Sequence, residues 1–156
     1  MPLLPSGQLL IGGNLTSSVS GATLGFAVTQ YVAAGAANTK FGTHGGVVTA
    51  IPGFPTIQTS GLGVESSGDI VTLGTGSDNA ADFVLALARY TSTGQLDPTF
   101  GTGGIVTTSF PGKSTVTAYG LAIQSDGKIV AVGNYSVQEG VNSTDYGFLL
   151  TRYQGQ

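Results

Sequence analysis

Cysteine and tryptophan are missing from this chain, and charged residues are scarce, 8% of 156 against about 25% in an average globular protein. The lack of cysteine excludes disulfides and thiolate metal sites while leaving the cellular compartment open. The five basic residues, Lys40, Arg89, Lys113, Lys128 and Arg152, are spread so that no two are neighbours. A nucleic-acid surface needs a basic cluster or stripe, so no nucleic-acid partner is expected. No apolar run approaches the roughly 18 residues of a membrane-spanning helix, and no membrane span is expected. The opening Met1-Pro2-Leu3-Leu4 has neither the charged segment nor the apolar core of a secretion signal. The expectation there is a chain kept inside the cell, or a signal lying outside this chain.

What the chain has instead is glycine, 26 residues of it, with 40% apolar content and a net charge of −3. Disorder needs low hydrophobicity and high net charge, and collagen needs a strict triplet, so neither fits. An all-β protein with many turns remains.

The glycines fall in a repeat. Ser6-Gly7-Gln8-Leu9-Leu10-Ile11, Ser67-Gly68-Asp69-Ile70-Val71-Thr72 and Asp126-Gly127-Lys128-Ile129-Val130-Ala131 align, with Gly7, Gly68 and Gly127 spaced 61 and 59 residues apart. Blocks ending at Tyr31, Tyr90 and Tyr153 follow each. Phe41-Gly42-Thr43 and Phe100-Gly101-Thr102 then open a further block in the first two copies, closed by Pro52-Gly53 and Pro111-Gly112. In this alignment His44 reads as an insertion between Thr43 and the Gly-Gly pair. Repeats are assigned to 1–61, 62–120 and a truncated 121–156, all within a single domain.

Each unit predicts four short strands, in copy two roughly Leu62–Glu65, Asp69–Leu73, Phe83–Tyr90 and Gly104–Phe110, bounded by turn residues. A sheet with one wet face alternates polar and apolar residues. Val84-Leu85-Ala86-Leu87-Ala88 and Ile129-Val130-Ala131-Val132 are continuously apolar, so both faces of each sheet are expected to be buried. Sheets stacked between sister sheets are the blades of a β-propeller. The fold class is therefore all-β, with four-stranded antiparallel meanders as blades, about three per chain.

The Ser/Asp-Gly-x-Ile-Val hairpin, Leu87 to Tyr90 with Leu150 to Tyr153, and Gly94-Gln95-Leu96-Asp97 with Phe100-Gly101-Thr102-Gly103-Gly104 resemble the bacterial delta-60 repeat family. The first copy departs from that pattern, with Gln30 in place of Arg89 and Asn38 in place of Asp97. The resemblance implies a β-propeller-like fold and a secreted or cell-surface protein. It implies little about activity.

Propellers close with about four to eight blades, and an open stack leaves an apolar face at each end. Two full blades and about three quarters of another are expected here, completed to a six-bladed ring by a homodimer; the competing reading is a piece of a longer array. The linked change of Arg89 and Asp97 to Gln30 and Asn38 predicts that Arg89 and Asp97 form a structural pair.

No catalytic residue, metal ligand or cofactor site is assigned. His44 is the single histidine, so a multi-histidine metal site cannot form within one chain. The loop between the second and third strands varies in length, and in copy three it carries Tyr135, Glu139, Asn142, Asp145 and Tyr146, a mixture suited to a glycan or protein partner. Asp78 and Asp82 in copy two supply too few ligands for calcium. The expected function is a non-enzymatic scaffold or binding module. The alternative is a glycoside-hydrolase type of enzyme, its carboxylates assembled in the oligomeric ring.

Overall fold

The computed structural model describes all residues except 1, 5, 19–22, 79, 81, 140–142 and 156. Its strands are β1 (Leu9–Thr16), β2 (Thr23–Tyr31), β3 (Gly46–Thr49), β4 (Thr56–Val64), β5 (Ile70–Ser77), β6 (Phe83–Tyr90), β7 (Ile105–Ser109), β8 (Thr115–Ile123), β9 (Ile129–Gln138) and β10 (Thr144–Tyr153). They form three antiparallel meanders, β1-β2-β3, β4-β5-β6-β7 and β8-β9-β10. These are blades 1, 2 and 3 of a β-propeller architecture.

The repeat is visible in the backbone. Gly7, Gly68 and Gly127 all take positive φ, at 78°, 92° and 80°. Each closes the same turn, its N–H donating to the carbonyl of Leu4, Glu65 or Gln124. That conformation is cheap only for glycine, which is why the hairpin signature carries it. The register then matches across copies, with Leu9 opposite Tyr31, Ile70 opposite Tyr90 and Ile129 opposite Tyr153.

Blade 2 is the sealed middle layer. Ile70, Val84, Ala86, Ala88 and Tyr90 pack on Leu10, Phe26 and Val28 of blade 1. Val71, Leu73, Leu85 and Leu87 pack on Val116, Ala118, Ile129 and Ala131 of blade 3. Two buried faces explain why β5 and β6 read as unbroken apolar runs. At the start of the blades β4 packs against β8, where Gly61 and Gly63 leave room for Leu121 and Ile123.

Three expectations are corrected. The first strand of blade 2 begins at Thr56, ahead of Leu62. Its opening Thr56-Ile57-Gln58-Thr59-Ser60 is too polar to stand out as a strand. Copy one, read as a full blade, has three named strands, and among the described residues its first-strand position holds an isolated bridge from Leu3 to Leu9 rather than a strand. His44 is not an insertion. It has φ 54° beside Gly103 at 61°, and Gly45 and Gly104 close equivalent turns onto Phe41 and Phe100. Gly46 therefore occupies the position of Ile105, and His44 that of Gly103. No Cβ clash arises there, since nothing lies within 4 Å of a Cβ built at Gly103.

Candidate interaction surfaces and a buried charge cluster

Among the residues singled out in sequence, Arg89 and Asp97 are brought together. Arg89 stands at the end of β6 and Asp97 in the following turn. Arg89 Nε donates to Asp97 Oδ2 at 2.8 Å, and Nη2 lies 2.8 Å from the same oxygen. Nη2 also donates to Thr99 Oγ1 at 3.0 Å, and Thr99 donates both its N–H and its hydroxyl to Asp97 Oδ1. The guanidinium lies 4.7 Å from the centre of the Phe100 ring. The neutral counterpart in copy one also meets, Asn38 Nδ2 donating to Gln30 Oε1 at 2.5 Å.

Sequence reading missed the third member. Glu65, the residue after β4, is buried with one oxygen 3.7 Å from Arg89 Nη1, too long for a hydrogen bond. Neither carboxylate oxygen nor Nη1 has a hydrogen-bond partner among the described residues. A signal was available: the equivalents of Glu65 are Leu4 and Gln124, so charge appears at all three cluster positions in copy two and at none in copy one. Gly155 closes over the cluster, where a Cβ would stand 3.1 Å from Glu65 Oε1 and 1.8 Å from the Gly127 carbonyl.

The two carboxyl groups titrate in opposite directions. Burial pushes Glu65 above its ordinary value, partly opposed by Arg89. Hydrogen bonds from Thr99 hold Asp97 below its own, with Arg89 adding to the effect. Stability contributed by Asp97 is present above about pH 3.9, its unfolded value, and is lost as pH falls through its lower folded value. For Glu65 the sign reverses. Its contribution is present below about pH 4.3 and is lost as pH rises through the raised folded value. Thermal stability is therefore expected to peak in mild acid and decline towards neutrality. Glu65→Gln is expected to remove the neutral-side decline and leave the acid-side loss, read from melting temperature across pH; an unchanged profile would contradict the assignment.

The proposed ligand loop is not a cluster. Cross-strand pairing runs to Gln138 opposite Thr144, so Tyr135, Asp145 and Tyr146 are strand residues. Tyr135 points inward, covered by Lys113 at 3.9 Å from its ring and lying against Gly147. Tyr146, on the other parity of β10, points outward and is exposed. Glu139 is exposed in the turn, whose N–H donates to the Ser143 carbonyl at 2.8 Å. Asn142 lies outside the described residues. In copy two, Asp78 Oδ1 accepts the N–H groups of Ala80 and Asp82 at 2.9 and 2.8 Å, a local turn cap. Among the described residues no group of three potential metal ligands gathers.

The surfaces that stand out are the two ends of the stack. On blade 3, Tyr146, Phe148 and Leu150 of β10 and Val132 of β9 are exposed. On blade 1, Ile11, Leu15 and Val48 are exposed. Side chains at the equivalent positions inside the chain are buried between blades. A helix long and apolar enough to cross a membrane is absent among the described residues.

A family model described as a domain of unknown function (DUF5122) beta-propeller matches residues 65–100 and 124–145. Both matches start at the same repeat position, Glu65 and Gln124; the first covers β5 and β6 of blade 2, and the second covers β9 of blade 3 and ends at the start of β10. No curated protein matches the chain. The comparisons thus support a β-propeller-like repeat family.

Proposed function

We propose that this set of β-propeller blades serves as a non-enzymatic repeat scaffold, associating with its own kind through its end faces and recognising a glycan or a protein through its loops. The carrying observation is the contrast between a sealed middle blade and two apolar end faces. Several acids are engaged in local structure: Glu65 and Asp97 around Arg89, Asp78 as a turn cap, and Asp126 on Lys128. Both carboxylate oxygens of Glu65 are buried, although the residue helps to line a cleft beside Pro2–Leu4. That favours a scaffold over acid–base chemistry, which needs a reachable carboxyl group.

Two copies of a three-bladed chain give six blades, within the range in which propellers close. Light scattering is expected to return twice the chain mass of 15.6 kDa. A glycan array and a pull-down with the dimer then test recognition. A monodisperse monomer at every concentration would sink the self-association, and failure to retain any glycan or protein would sink the recognition.

A further inference from the structure

We infer that the open face of blade 3 is built to receive blade 1 of a second copy, head to tail, with Phe148 seated over the partner copy's Gly13. The inference rests on the self-association proposed above and specifies its geometry.

The shared register places Phe26, Leu85 and Phe148 at one position of the repeat, and Val28, Leu87 and Leu150 at another. In blades 1 and 2 these side chains point to the following blade and are 0% exposed. In blade 3 the same two positions, Phe148 and Leu150, are 97% and 71% exposed. The side of a blade that faces its predecessor carries Ile70, Ala86, Ala88 and Tyr90 in blade 2. The equivalent side of blade 1, with Leu9, Ala27, Thr29 and Tyr31, has no blade against it. The chain therefore builds one kind of joint twice and leaves its two unlike halves uncovered, one at each end.

The halves match in detail. Phe26 lies over Gly74, its Cε1 only 2.7 Å from where a Cβ would stand. Phe148 repeats the knob and Gly13 repeats the glycine, and nothing lies within 4 Å of a Cβ built at Gly13. Two blade 3 faces meeting each other would instead oppose Phe148 and Leu150 to their own copies, and Gly120, which pairs with Val132 on that face, is not the position that receives the aromatic knob inside the chain. A joint between unlike faces must close into a ring or run on as a filament, and three blades per chain close with two copies.

Complementation tests this. Phe148→Asp disables one face and Ile11→Asp the other; both residues are exposed, and circular dichroism with a thermal melt checks that each variant folds, Phe148→Ser and Ile11→Ser standing in if either does not. Head-to-tail assembly predicts that wild type has twice the chain mass, that each variant alone has the chain mass, and that their equimolar mixture returns to twice that mass. If Ile11→Asp stays dimeric while Phe148→Asp dissociates, the blade 3 faces pair with each other and the inference is overturned, with self-association intact. A mixture that stays monomeric overturns it as well. A monomeric wild type removes the self-association reading itself.

Discussion

Replacing Arg89 with glutamine is expected to destabilise the fold by about 3–5 kcal/mol, because it strands two buried anions. Asp97 would keep its bonds from Thr99 but lose the guanidinium that neutralises it, and Glu65 would lose the cation facing it. Urea unfolding reads this as a lowered midpoint at constant slope. The informative comparison is with copy one, which solves the same packing problem without charge through Leu4, Gln30 and Asn38. Leu4 packs beside the first core cluster, and Asn38 bonds to Gln30. Transplanting that set, as Glu65→Leu, Arg89→Gln and Asp97→Asn together, is expected to be less damaging than Arg89→Gln alone. The non-additivity should reach about 2 kcal/mol, within the range found for side chains in one network. Losses that simply add would show that the three residues act independently.

That comparison also shows what could be read without coordinates. A charge-for-neutral change at two positions in two copies pointed to a contact, because an unpaired buried charge is too costly to persist. Blade stacking was legible for a similar reason, since only a sheet covered twice tolerates runs like Val84 to Ala88. Shared residue letters mislead where the geometry differs. Gly45-Gly46 and Gly103-Gly104 share their letters, yet it is His44 and Gly103 that share a place in the turn, both with positive φ. In the third copy, the extra length between Gly133 and Tyr153 reads in sequence as a longer loop. It lies largely in longer strands, β9 and β10 at 10 residues each against 8 for β5 and β6, because cross-strand pairing continues as far as Gln138 and Thr144.

One glycine position in the repeat separates local backbone geometry from mere recurrence. Gly13, Gly74 and Gly133 are equivalent, and the second and third face β-bulges, where the register of the first strand slips between Thr59 and Gly61 and between Ala118 and Gly120. A bulge bends its strand towards the partner, and only a residue without Cβ accepts the approach. A Cβ at Gly133 would lie 2.1 Å from the Thr117 carbonyl oxygen; at Gly74 it would lie 2.3 Å from that of Gln58 and 2.7 Å from the Phe26 ring. Backbone cannot yield as a side-chain tip can, so Gly133→Ala and Gly74→Ala are each expected to cost about 3 kcal/mol or more. Gly13→Ala has open space and an ordinary φ, so alanine's lower unfolded entropy should stabilise by about 0.5–1 kcal/mol. All three are best measured in the Phe148→Asp background, so that contact between copies does not enter. Opposite signs at equivalent positions would tie the glycine requirement to a bulged strand lying alongside; equal losses at all three would refute it.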